Sequence, residues 1–364
     1  MNISELSSKL VSALRRYRSL LILIKGSPDP DVIASSFALK TVCDHLGIKS
    51  NMVALIEISL QQNRALIDEL RIPVHFQKPP LSHTDYEAYA VLDHQSAFLK
   101  DLAGKIPCAV HIDHHERGGE EANADFQLLQ TKAGSTSTIM ALFIRELDLP
   151  LNEALRTQLS TALVLGIYTD TDAYRHALEL DYAALEYLTP LADKSIIERI
   201  TDIPISETTV TLIARAQLNK EIYKDWLIAG IGLIDESERD SIAIVADFLL
   251  EREKVETVVV FALIAKDHGR GMTLDASFRT KDAKLNLDSI IKEISSEGGA
   301  RRFKGAFQVN LDYFARGPDR KLLWELVRAT TIHILKNKRD EIRFIELKGF
   351  YRKLRSRLSS LLGR

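Results

Sequence analysis

Four short segments carry residues that could do chemistry. They are Ser27-Pro28-Asp29-Pro30-Asp31; Asp93 behind Val91-Leu92; Asp113-His114-His115 behind Val110-His111-Ile112; and Asp170 in Gly166-Ile167-Tyr168-Thr169-Asp170-Thr171-Asp172. An aspartate after a strand is, taken alone, usually a turn or helix-capping residue. Four acidic segments gathered in one place are a different matter. Like carboxylates packed in a cleft repel one another, at a cost that a cation relieves. Aspartate and histidine without thiolates suit Mn²⁺ or Mg²⁺. Two such ions about 3.5–4 Å apart would activate a water and stabilise the charge on a phosphate under in-line attack. Hydrolysis of a phosphate ester is the chemistry to which these residues point, provided the fold brings them together.

The flanking pattern says that it does. From Leu21 to about Asp193 short apolar runs alternate with amphipathic segments. Strands are expected at Leu21–Ile24, Met52–Ile56, Ala88–Leu92 and Cys108–Ile112, with helices after Pro28, at Ser135–Leu147 and from Glu153 to about Leu165. Such alternation implies an α/β domain with a doubly wound, mostly parallel sheet. In these sheets, residues just past the carboxyl ends of the strands line the ligand crevice, which is where the acidic segments fall. A polar stretch, 196–220, reads as a connector. A second, smaller α/β domain follows at 221–315, with strands at Trp226–Ile234, Thr257–Ala265, Met272–Arg279 and Phe307–Leu311 and helices at Ser241–Leu250 and Leu287–Ile294. Residues 1–195 form the first domain and 316–364 a basic helical tail. A length of 364 residues is in keeping with two domains.

In their order and residue types the four segments resemble the motifs of the DHH phosphoesterase superfamily, named for the triplet present here as Asp113-His114-His115. That superfamily includes oligoribonuclease-like and pAp-phosphatase-like enzymes, cyclic-dinucleotide phosphodiesterases, RecJ-type exonucleases and family II pyrophosphatases. The resemblance runs from about Leu21 to Leu311. It implies that Asp29 and Asp31 ligate different metals, that Asp93 bridges them, and that His114 and Asp170 complete the second site. His115 would orient the site or contact phosphate. Asp93, His114 and His115 are thereby the implied catalytic residues.

The second domain resembles the substrate-binding domain called DHHA1, at Ser277-Phe278-Arg279 and at Gly298-Gly299-Ala300-Arg301-Arg302-Phe303-Lys304-Gly305. Gly298 and Gly299 would let backbone N–H groups approach a phosphate closely. Arg279 and Arg301 would pair with its oxygens in a bidentate manner. Two positions depart from the family pattern. Lys25 stands four residues before Asp29, where the family carries a histidine metal ligand. A protonated lysine cannot ligate a metal, so the first site is weakened or the ammonium takes over part of its charge, placing Lys25 among the substrate-binding candidates. Ala300 replaces a histidine that contacts substrate.

Composition narrows the function classes. Hydrophobic residues make up 46% and charged residues 27% of the chain, with a formal net charge of −2. That balance argues against a protein-wide cationic surface gripping long duplex DNA, though not against a local basic channel. No basic segment interleaved with aromatics suggests a processive single-strand exonuclease. Cys43 and Cys108 are too few for a disulfide framework and suit a reducing cytosol. The Leu6, Leu10, Leu14 spacing reads as a folded helix, not a targeting segment, and no apolar run is long enough to span a bilayer. A cytoplasmic protein is expected. In the tail, Phe350, Leu354, Leu358 and Leu361 are flanked by Arg352, Lys353, Arg355 and Arg357, a basic amphipathic helix. Docking on its own protein or a second subunit is favoured over membrane-surface or nucleic-acid contact, and a homodimer is left open.

Taken together, these features predict a Mn²⁺- or Mg²⁺-dependent phosphoesterase with two ions. Its substrate would be a small nucleotide or short single-stranded oligonucleotide (pAp, a linear or cyclic dinucleotide, a nanoRNA), held in the cleft between the domains. The alternative is a degenerate member that binds a nucleotide for regulation without hydrolysing it.

Overall fold

A computed structural model describes residues 2–361, apart from 27, 59, 79, 116–122, 267–270, 297, 301–302 and 318; over 343–361 it describes the helix alone. The chain divides into two units, Met1–Ile203 and Pro204–Arg364.

The first unit is built on six parallel strands: β1 (Ser19–Ile24), β2 (Lys49–Ala54), β3 (Val74–Phe76), β4 (Ala88–Leu92), β5 (Cys108–Asp113) and β6 (Ala124–Leu129). Their order in the sheet is β3-β2-β1-β4-β5-β6, and every paired neighbour is parallel. The chain thus winds outward one way from β1 and then the other way from β4. That reversal opens a crevice at the carboxyl ends of β1 and β4, where α/β sheets bind ligands. The apolar runs are nearly continuous because central parallel strands are covered on both faces; all five residues of β4 are buried. The sheet's layers include α1 (Ile3–Leu14), α2 (Pro30–His45), α3 (Gln61–Glu69), α4 (Thr136–Leu147), α5 (Glu153–Asp170), α6 (Glu179–Leu188) and α7 (Lys194–Thr201). The core joins Leu10 and Leu14 of α1 to Ile22, Leu92, Phe143 and Leu163. Strands β3 and β6 and helix α3 went unread in the sequence. β3 is three residues long, and β6 carries polar residues at Asp125 and Gln127, so neither shows a buried-strand pattern.

The second unit also holds a six-stranded sheet, of mixed direction, ordered β11-β12-β10-β9-β8-β7. Its strands are β7 (Lys220–Tyr223), β8 (Trp226–Asp235), β9 (Thr257–Lys266), β10 (Gly271–Thr280), β11 (Gly299–Ala300) and β12 (Lys304–Asn310). β8 and β9 run parallel; the other pairs are antiparallel. Its helices are α8 (Glu207–Asn219), α9 (Ser241–Arg252), α10 (Leu287–Ile294) and α11 (Arg320–Leu361). Two further segments join the cores. Within 196–220, α7 ends the first unit, and Leu212 and Ala216 of α8 lie in the core of the second. The start of the tail is likewise core, since Leu323, Val327, Ile332 and Leu335 of α11 pack with Trp226, Phe261 and Phe278. Among the described residues no helix is long and apolar enough to cross a membrane.

Candidate metal centre

Three of the four segments leave the carboxyl ends of β1, β4 and β5, and the fourth closes α5. Helix α2 opens with Asp29 at its N-cap, the carboxylate accepting the Val32 N–H at 3.0 Å, and Pro30 fits the first turn because its missing N–H needs no partner there. Asp31 is wholly buried one residue further on. Its two oxygens accept the amides of Thr136 at 2.8 Å and Ser137 at 2.7 Å, N–H groups that the first turn of α4 leaves without a partner inside the helix. Two helix N-termini therefore face this one carboxylate. Even so, burial and then the charges of Asp93 and Asp170 raise its pKa well above the usual range.

Asp93, behind β4, is in the left-handed region at φ +50°, and its carboxylate accepts Thr136 Oγ1 at 3.2 Å. Such a conformation costs a non-glycine residue on the order of 1 kcal/mol, and strain of this kind gathers at functional sites. Asp113 ends β5 fully buried. Its Oδ1 accepts the His114 N–H at 2.9 Å and pairs with His115 Nδ1 at 2.6 Å. Asp170 sits on α5 one turn after Gly166, and that glycine is dictated by packing: a Cβ there would lie 2.2 Å from Ser137 Oγ and 3.2 Å from the Asp31 Cα. Removing the side chain lets α5 press against α2 and α4, which carries Asp170 into the crevice.

The result is two overlapping sets of ligand atoms, each within 4.8 Å of one another: Asp31, Asp93, His114 and Asp170; and Asp93, Asp113, His114 and His115. Asp93 and His114 belong to both. His114 Nε2 lies 2.8 Å from Asp170 Oδ2 and 3.4 Å from Asp93 Oδ1, yet neither contact has hydrogen-bond alignment. Burial acts to lower the pKa of His114, but Asp170 and Asp93 outweigh it and hold the imidazole well above its usual value. Among the described residues, His114 Nε2, His115 Nε2 and Asp113 Oδ2 are buried with no hydrogen-bond partner. Orphaned lone pairs amid crowded carboxylates fit a hard divalent cation, because an ion satisfies at once the polar atoms and the charge that the chain leaves open. With Nδ1 directed to the Ala133 carbonyl, His114 presents Nε2 as the ligand atom.

Other candidates lie elsewhere. The Lys25 ammonium donates to the backbone carbonyls of Ser96 at 3.0 Å and Phe98 at 2.8 Å, tying the end of β1 to the loop after β4. Partial burial, and then the charge of Lys25, depress the pKa of neighbouring His94 to about 4. Asp172 is an exposed turn residue at φ +52° paired with Arg175. Arg279 departs from the expected phosphate contact. It is buried within its own unit, donating to both oxygens of Asp247, to Ser277 Oγ and to the Phe278 carbonyl. β10 turns alternate residues to one side, so Thr273, Asp275, Ser277 and Arg279 form a polar seam. Asp275 in that seam accepts from Arg239 Nε at 2.6 Å, Thr273 Oγ1 at 2.7 Å and Gln308 Nε2 at 3.0 Å. Gly298 is also required by packing, since a Cβ would meet Ile291 Cγ2 at 2.4 Å, whereas at Gly299 it would meet nothing nearer than Asp288 Oδ1 at 3.7 Å. Nearby, the Ala300 amide donates to Asp288. Arg301 and Arg302 fall outside the described residues, as does Ser27.

Three contributors escaped the sequence reading. Thr136 and Ser137 were taken only as the start of a helix, although the run Gly134-Ser135-Thr136-Ser137-Thr138 is a strong N-terminal signal. Asp181, fully buried, accepts the Gly134 and Leu178 amides and Thr138 Oγ1, fixing the start of α4 from behind. No local pattern singles it out.

The fold and this cluster define a class. Residues 19–167 match the model of the DHH family, N-terminal domain. It is 32% identical over 329 residues to an uncharacterized protein of Methanocaldococcus jannaschii, covering 88% of this chain; the chain spans 65% of that relative's length. Among solved structures it is similar to an exopolyphosphatase-related protein from Bacteroides fragilis, at TM-score 0.64 and 15% identity, over 92% of this chain and 96% of that one. It is also similar, at TM-score 0.45 and 13% identity, to exonuclease RecJ bound to manganese, over 92% of this chain and 98% of that one. The chain thus has the fold of the DHH phosphoesterases and a cluster able to hold a metal.

Proposed function

We propose that this chain is a divalent-metal-dependent phosphoesterase acting on a small nucleotide or short single-stranded oligonucleotide: pAp, a linear or cyclic dinucleotide, or a short RNA. The observation that supports this reading most directly is the convergence of Asp31, Asp93, His114 and Asp170, buried or nearly so, at the switch point of the sheet. These four residues would hold Mn²⁺ or Mg²⁺. When bound, such an ion supplies a Lewis acid for a phosphoryl oxygen and lowers the pKa of a water.

The chain's own residues supply the rest. Thr136 and Ser137 amides hold Asp31 in one orientation, and Thr136 Oγ1 does the same for Asp93. Asp113 accepts from His115 Nδ1, which leaves Nε2 as the basic nitrogen for a proton taken from water or given to the leaving oxygen. Burial of the carboxylates excludes bulk water and strengthens each interaction. In the second unit, the resemblance to DHHA1 assigns the substrate's phosphate to the Gly299 loop and Arg301.

The test is Mn²⁺-dependent hydrolysis of pAp, a linear dinucleotide, a cyclic dinucleotide and a short oligoribonucleotide, with Asp93→Ala as the control. Turnover of any of them, lost in the control, is expected. Silence across the panel with a nucleotide still bound would replace this reading with that of a regulatory nucleotide-binding protein.

A further inference from the structure

We infer that each chain holds one divalent cation, where the family pattern implies two, because Lys25 and Asp29 are engaged by the fold. This inference rests on the metal-dependent reading above and concerns the number of ions alone. A first ion in the family pattern would need a ligand at position 25, together with Asp29 and Asp93. Position 25 carries an ammonium, which has no lone pair while protonated, and two backbone carbonyls hold it there. Freeing it would break both hydrogen bonds that tie the end of β1 to the loop after β4.

Asp29 is engaged differently. Its carboxylate caps α2 through the Val32 amide, and it belongs to neither set of converging ligand atoms. The second set, Asp93, Asp113, His114 and His115, is no substitute. An ion there would compete with the 2.6 Å bond between Asp113 Oδ1 and His115 Nδ1. A charge-assisted bond of that length is among the stronger polar contacts a protein makes. Asp31, Asp93, His114 and Asp170 remain: one nitrogen and three carboxylates, enough for a single Mn²⁺ or Mg²⁺ with positions left for water and substrate.

Equilibrium dialysis of the full chain against Mn²⁺, with elemental quantification and electron paramagnetic resonance, tests this without any substrate. Counts are read against Asp93→Ala to subtract ions on the surface. One Mn²⁺ per chain is expected, with the hyperfine pattern of an isolated ion up to saturation. Lys25→His is expected to take up a second ion and show a spin-coupled spectrum. Two coupled ions in the unmodified chain would overturn the inference while leaving the phosphoesterase reading intact; no specific Mn²⁺ at all would sink that reading instead. One ion in both proteins would overturn the role given to Lys25. If Lys25→His fails to fold, the count in the unmodified chain decides.

Discussion

The two units each bury charge beside a sheet, and they do it in opposite ways. In the second unit every buried charge of the β10 seam meets its counterpart within the chain: Asp275 has Arg239, and Arg279 has Asp247. In the first, Asp31, Asp93, Asp113 and Asp170 gather about two histidines, and among the described residues Asp113 Oδ2, His114 Nε2 and His115 Nε2 are buried without a hydrogen-bond partner. A neutralised seam is complete as folded, since the ion pairs and hydroxyl donors satisfy the groups they bury. A cluster that leaves buried polar atoms without hydrogen bonds is completed by something from outside. Burial of ionisable groups therefore says little about function until their partners are traced; the unmet atoms mark the site.

Removing one of the clustered charges should produce the largest effect. Asp93→Asn keeps a residue tolerant of positive φ but removes a shared ligand, and turnover should fall by roughly 10³-fold, about 4 kcal/mol in the barrier. The same variant, stripped of metal, should melt no lower than the unmodified chain, because it relieves like-charge repulsion. A clear drop in apo stability would mean that the cluster is complete without metal after all.

A subtler break leaves every ligand in place. Gly166→Ala would push a methyl against Ser137 and Asp31, so Mn²⁺ affinity should fall by roughly 10–100-fold. Overpacking should add a loss of about 1–3 kcal/mol in stability. Titration calorimetry checks the first and denaturant melts the second; unchanged affinity would show that the ligands tolerate a shift of α5. The matching break in the second unit is Arg279→Met. Loss of charged hydrogen bonds to Asp247, Ser277 and Phe278 should cost about 1.5–3 kcal/mol while Mn²⁺ affinity stays the same. An altered metal affinity would erase the distinction between the two regions.

The smallest effect concerns groups outside both regions. Burial raises the pKa of Cys43 and Cys108 from 9.0 to about 12 in each case. Their neutral form favours the fold below pH 9.0, and that contribution is lost as pH rises towards about 12. At pH 8 neither thiol should react with a disulfide reagent on the timescale of minutes, whereas both should react once denatured. Fast native labelling would show that the first unit's core opens readily.

Much of this was legible in the linear chain, for definable reasons. β4 and β5 show as apolar runs ended by aspartate because a doubly covered parallel strand needs apolar side chains throughout and the crevice needs carboxylates at its edge. α10 could be read to its ends, because its apolar stripe is confined to one face. The four acidic segments were recognisable because each lies within a few residues. Asp181 and Gly166 were not, since their importance depends on what lies across space from them. Arg279 looks on paper like a phosphate ligand, and only its neighbours on α9 and β10 show that its donors are spent.

Sequence alone determined the local chemistry: which carboxylates and histidines are available, that strands end where they begin, and that Lys25 cannot ligate while protonated. Tertiary structure decided the geometry and the accounting of charge: that Asp93 and His114 are shared, that Asp29 is a cap while Asp31 is held by α4, and that α11 contributes to a core. The physical reason is range. Helix caps, strand patterns and ligand types are set within a few residues, whereas desolvation, repulsion and packing are set by groups that meet only after the chain has folded.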